Sequence, residues 1–258
     1  MKIAIITDLH ANLPALQATL PAIRAEGCDL LFHTGDAIAI GPHPRECLDL
    51  LLNMPGIQFV MGNHDAWFVD GLPRPQPAWM SDGEVLHQRW THAQLDPAWR
   101  ATLAEWPYLI QREFEGVWVT FVHYALALTG RDFVSVVRHP TASDLDRLFD
   151  GSASDLIFFG HDHASSDLRG RARYVNPGSL GCCTRAVARY CVAEFHAGTV
   201  SVAHRGVPYD DAELVRAFEG RAVPEREFIN QVFFGGRLST RKRKDATHSA
   251  LSARSAVK

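Results

Sequence analysis

Apolar residues early in this chain fall in short, dense runs, and each run ends in a polar cluster. Lys2 to Thr7 (KIAIIT) is rich in Ile and unbroken, the pattern of a strand buried on both faces. After Asn12, the residues Leu13, Leu16, Leu20 and Ile23 recur at helical spacing, and Gly27 stands where that helix should stop. Asp29 to His33 (DLLFH) predicts a second strand, Pro44 to Leu52 a second helix and Gln58 to Val60 a third strand. Strand and helix in alternation is the order of a parallel sheet with helices on its faces.

The pattern then changes. Residues 64 to 105 predict helices and loops, broken by PRPQP at 73 to 77, with Trp79, Trp90, Trp99 and Trp106 in or beside them. This stretch is expected to be a helical insert, about 66–106, serving as a lid or a dimer contact. From Tyr108 strands return, as YLIQREF and VWVTFVH. Thr141 to Asp150 predicts a helix and Asp155 to Phe159 (DLIFF) a strand, and Arg173 to Asn176 precedes PGS. ARYCVAEF and TVSVAHR predict a hairpin turning at residues 196–198, and 209–220 a last helix. No internal repeat is present.

Composition narrows the class. At 258 residues and 47% apolar, the chain can fill one α/β domain. It has no run of about 18 apolar residues, and its start lacks a signal-peptide pattern. A cytoplasmic protein without a membrane segment is expected. The five cysteines form no C-x-x-C, so reduced thiols are expected rather than a zinc ribbon. From Arg237 to Lys258 seven Lys or Arg stand against one Asp, so the rest of the chain is more acidic than the net −3 suggests. The expected division is a domain at 1–234 and a basic flexible tail at 235–258. Such a tail could hold nucleic acid, but an acidic body opposes it.

The chemistry lies where the apolar runs end. IAIIT leads to Asp8 and His10, LLFHTG to Asp36, IQFVMG to Asn63 and His64, VWVTFV to His123, and DLIFFG to His161 and His163. Taken singly, each has a plain reading: Asp as a helix cap, His as a solvated or hydrogen-bonded residue. Together, five segments deliver Asp, Asn and His to one sheet rim, where open α/β sheets form their ligand crevice. Oxygen and imidazole ligands without thiolate suit Mn, Fe, Co, Ni or Zn better than Ca or Mg. Eight candidates are too many for one tetrahedral ion, so two divalent ions are expected, manganese foremost. Two ions about 3.5–4 Å apart need a bridging carboxylate and turn water into an attacking hydroxide. Phosphoester hydrolysis fits that arrangement.

The ordered set D-x-H (Asp8, His10), G-D (Asp36), G-N-H-D (Gly62 to Asp65), H (His123) and G-H-x-H (Gly160 to His163) resembles the calcineurin-like metallophosphoesterase superfamily over roughly residues 1 to 234. TDLHANLPAL, the GP of GDAIAIGP and NPGS at 176–179 resemble its compact YfcE-like bacterial and archaeal phosphodiesterase branch. The resemblance implies an α/β fold, a four-layer α/β/β/α sandwich with metals at the sheet rim. Carried over, Asp8, His10, Asp36 and His163 would hold one metal and Asn63, His123 and His161 the second, with Asp36 bridging. His64 would contact phosphate and protonate the leaving oxygen. Asp65 is expected to cap the next helix or support the loop, or else to orient His64.

One departure stands out. Many relatives carry G-D-x-x-D-R, whose second Asp orients the catalytic His and whose Arg grips phosphate; here Ala39 and Ile40 take those places. Arg185, after NPGSLGCCT, is the candidate replacement cation, and Gly178 with Ser179 should form a tight turn beside the metals. The expected activity is hydrolysis of a small phosphodiester, nucleotide or dinucleotide polyphosphate. The alternatives are a nuclease using the basic tail and a non-catalytic scaffold; a homo-oligomer through the insert is compatible with either.

Overall fold

In the computed structural model, which describes residues 1–239, two five-stranded sheets pack face to face. The first runs in the order β10 (Thr199–Pro208), β9 (Val187–His196), β1 (Lys2–Ile6), β2 (Leu30–His33), β3 (Ile57–Phe59). The second runs β4 (Leu109–Phe114), β5 (Val117–Val122), β6 (Leu156–Phe158), β8 (Arg173–Asn176), β7 (Ser166–Arg169). In each sheet three consecutive strands are parallel: β1, β2 and β3 in one, β5, β6 and β8 in the other. Antiparallel strands flank them, so both sheets are mixed rather than purely parallel.

Side-chain alternation builds the layers. Ile3 and Ile5 of β1 point into the space between the sheets with Phe32, Val119, Phe121, Phe158 and Phe195, while Ala4 and Ile6 point outward. Phe32 stacks on Phe121 across that space with ring centroids 3.8 Å apart. Each such fully buried side chain contributes about 1.5–3 kcal/mol. The outer face of the first sheet is covered by α1 (Leu13–Ala25) and α2 (Pro44–Leu52), and α6 (Ala142–Leu148) covers the second. The result is the four-layer α/β/β/α sandwich flanked by helices.

The stretch expected as an insert at about 66–106 holds most of α3 (Asn63–Asp70) and all of α4 (Asp82–Gln94) and α5 (Trp99–Ala104). Its Phe68, Leu95, Leu103 and Trp106 join the same core as α1 and α2, which makes it part of the outer layer. The sequence expectation does not include β7, or the helix α8 (Arg226–Phe234), which packs with α7 (Ala212–Gly220) around Leu214, Phe218, Ile229 and Phe234.

Ordered packing also reaches past residue 234. Leu238 is buried among those helices, and Arg237 pairs with Asp211 and donates to the Cys183 carbonyl and Tyr209 Oη, each at 2.9 Å. The rest of the expected tail, 240–258, lies outside the described residues. Among the described residues no helix is long and apolar enough to cross a membrane.

Candidate metal centre

The loops after β1, β2 and β6 meet at one rim. Backbone hydrogen bonds continue the β1–β2 pairing beyond the strands: Asp8 N–H to Gly35 O (3.0 Å), His10 N–H to Asp36 O (3.0 Å) and Ala11 N–H to Ala37 O (3.1 Å). Asp8, His10, Asp36, His161 and His163 all adopt left-handed backbone, with φ between 47° and 73°. Non-glycine residues avoid this region, at a cost of order 1–3 kcal/mol each, and such strain gathers at functional sites. Close approach also demands glycine. A Cβ at Gly62 would lie 2.2 Å from Asp36 Oδ1, and one at Gly160 would lie 2.1 Å from Thr7 Oγ1.

Asp65 supports this geometry from behind. Its buried carboxylate accepts from Asp36 N–H (2.8 Å), Ala37 N–H (3.1 Å) and Gly62 N–H (3.1 Å). It therefore both caps α3 and fixes the Gly35–Asp36 loop, and it does not orient His64.

Two donor groups result. On one side His10 Nε2 lies 2.9 Å from His163 Nε2, 3.7 Å from Asp8 Oδ1 and 3.8 Å from Asp36 Oδ2. On the other, His123 Nε2 lies 3.2 Å from each of Asp36 Oδ2, Asn63 Oδ1 and His161 Nδ1. Asp36 thus belongs to both groups. The Nδ1 atoms of His10 and His123 are committed to the carbonyls of Ile38 (3.2 Å) and Thr34 (2.9 Å), which leaves both Nε2 atoms facing the cluster. His64 N–H donates to Asp36 Oδ1 at 2.9 Å, and its Nε2 stands 4.0 Å from Asp36 Oδ2.

Burial holds His161 and His163 down to about 3 and His10 well below the usual imidazole range, so these rings are neutral and ligand-competent. Burial also opposes the charges on Asp36 and His123, but their mutual attraction outweighs it: Asp36 is held well below the carboxylate range and His123 is raised to about 9. Burial raises Asp8 to about 7. Paired imidazole nitrogens around 3 Å apart, ringed by buried carboxylates, are the surroundings a divalent cation neutralises. The residues fit divalent-metal binding.

A rim of buried carboxylates and imidazoles on a two-sheet sandwich is a candidate metal centre. The chain belongs to the calcineurin-like phosphoesterase superfamily, whose domain model matches residues 1–198. It is a hydrolase of phosphoesters in a metal-dependent superfamily. It is 26% identical to an uncharacterised protein of Methanocaldococcus jannaschii over 259 residues, covering 91% of this chain and 98% of that one. Two solved structures share the fold. A metallophosphoesterase from Sphaerobacter thermophilus is 24% identical, with TM-score 0.67 and coverage of 89% of this chain and 97% of that chain. A hypothetical protein from Pyrococcus horikoshii is 19% identical, with TM-score 0.75 and coverage of 91% and 98%.

All eight rim candidates come together. Arg185 does not join them: it is exposed, and among the described residues no hydrogen bond or ion pair links it to the cluster. Ser179 Oγ donates to the Asp8 carbonyl (2.7 Å) and accepts from Cys182 N–H (2.7 Å), so the NPGS turn braces the Asp8 loop. Three further residues lie nearby. Cys182 lies beside His10 and His163. Gln88 and His87, from α4, touch His64 and Ile40. Nothing local marks them, because their roles depend on contacts with segments 24 and 47 residues away.

Proposed function

We propose that this chain is a dinuclear phosphodiesterase acting on a small diester, nucleotide or dinucleotide polyphosphate, with manganese as the favoured metal. The observation that carries this reading is Asp36, whose carboxylate stands within reach of both donor groups. Asp8, His10, Asp36 and His163 would hold one ion, and Asp36, Asn63, His123 and His161 the other. Bound there, such ions would supply Lewis-acid polarisation of a phosphoryl oxygen and a lowered pKa for the attacking water. His64, only partly buried, presents Nε2 to the phosphate and to the leaving oxygen. Asn63 gives a neutral oxygen, which limits the charge that the anionic substrate must meet.

An aromatic surface beside the site favours a nucleotide. Trp67 makes an edge contact with His64 at 4.8 Å and stacks on Trp79 at 6.0 Å, and Trp79 is 65% exposed. Trp106, by contrast, is buried against Phe59, an ordinary core contact. An indole left open beside a phosphate contact suits a base. The body through Leu238 acts as one phosphoesterase unit.

The test is an activity panel on metal-free and manganese-loaded protein: bis(p-nitrophenyl) phosphate, p-nitrophenyl phosphate, diadenosine tetraphosphate, 2′,3′-cyclic nucleotides and single-stranded DNA. Diester hydrolysis should require metal and exceed monoester hydrolysis, with two ions bound per chain. Equal rates with and without metal would overturn the reading.

A further inference from the structure

Helix α4 buries an unusual stripe. Its fully buried residues are His87, Gln88 and Thr91, all polar, and of its apolar residues Trp90 packs partly buried, whereas a surface helix ordinarily buries an apolar face. Gln88 is 1% exposed. Its one hydrogen bond is side chain to side chain: Nε2 stands 2.6 Å from His64 Nδ1. Its Oε1 is buried without a partner. A buried amide left half unsatisfied costs about 1–3 kcal/mol. Methionine would fill similar volume without that cost, so packing does not explain the amide. Its contact with His64 does.

The helix is held in place for this contact. His87 Nε2 accepts from Ile40 N–H at 2.8 Å, and its Nδ1–H donates to the Pro224 carbonyl at 3.2 Å. Ile40 and Ala39 lie in left-handed backbone and offer His64 no polar side chain. His87 therefore clamps α4 onto the Asp36 loop, and the next residue, Gln88, reaches His64. Either end of the amide can meet Nδ1: Nε2–H donates to a bare nitrogen, and Oε1 accepts from a protonated one. In both cases Nδ1 is tied down, and the free Nε2 faces Asp36 and the site.

We propose that Gln88 is the positioning residue for His64, supplied to the rim from helix α4 of the same chain, so that this helix forms part of the reaction site. The proposal rests on the reading of His64 as the phosphate contact. The experiment compares Gln88→Met and Gln88→Glu with the native protein. Its readouts are kcat and KM on bis(p-nitrophenyl) phosphate with manganese, bound metal per chain, melting temperature, and the His64 ring ¹⁵N resonances of the metal-free protein. Gln88→Met should lower kcat about 10–100-fold, the usual effect of losing such an outer partner, while KM and metal content hold. Gln88→Glu, which places an acceptor against a protonated Nδ1, should recover most of kcat. The Nδ1 resonance should shift in Gln88→Met. A kcat within twofold of native in Gln88→Met, equal impairment of both variants, or a loss that follows metal content and melting temperature would overturn the proposal. If the native protein hydrolysed no phosphoester, the functional reading would fail, while an Nδ1 resonance indifferent to Gln88→Met would separately overturn the contact.

Discussion

The rim loops and helix α4 bring polar side chains to one site by opposite means. At the rim, five side chains stand on left-handed backbone, and loop-to-loop hydrogen bonds and the Asp65 carboxylate fix them. In α4 the backbone is regular helix, and the side chains alone make the connection. The rim positions charge, and the insert positions a ring. Substitutions at the rim should therefore remove metal, whereas those on the His64 side should spare it and change the rate.

Asp36→Asn tests the rim most severely. An amide cannot bridge two cations as a carboxylate does, so turnover should fall by at least about 10³-fold, and metal analysis should find fewer than two ions per chain. A variant holding two ions at native turnover would take Asp36 out of the shared position. His64→Ala tests the other side. Losing a positioned proton donor and phosphate contact should cost about 10²–10⁴-fold in kcat with metal content unchanged. Metal loss in that variant would make His64 a ligand and erase the distinction between the two regions.

The same contrast governs what was legible in the sequence. The rim could be read because each polar residue directly follows an apolar run, and strand ends are where such sheets bind ligands. The bounds of α2, Pro44 to Leu52, follow from local chemistry. Antiparallel β9 beside β1 could not be read, because strand pairing depends on distant residues rather than on periodicity. Strand β7 escapes for another reason: in SDLR only Leu168 is a large apolar residue, and Asp167 and Arg169 are exposed at the sheet edge. Gln88 is the extreme case, since hydrophobic periodicity cannot reveal a helix face whose buried residues are polar. Composition also hides packing: Arg237 counts among basic residues yet lies in a pocket with Asp211, Tyr209 and Phe234.

The mildest effect concerns the clamp rather than the ligands, and it is read as stability. Burial holds His87 down to about 4, with the nearby His64 ring pushing the same way. Above about pH 6.5 the ring is neutral whether the chain is folded or unfolded. As pH falls toward 4 the unfolded chain takes the proton first, so it binds more protons than the native state and stability declines. At about 1.4 kcal/mol per unit of pKa, the full loss attributable to His87 is about 3 kcal/mol, complete below pH 4. His33 and His92, which burial also depresses, add to the same decline, so the native curve alone does not isolate His87. His87→Gln does, because an amide oxygen can still accept from Ile40 N–H yet does not titrate. Urea unfolding of metal-free protein should show the variant losing about 3 kcal/mol less than native between pH 7 and 4. Parallel curves would mean that His87 takes up its proton in place, and α4 would then be held on the rim by something other than a neutral imidazole.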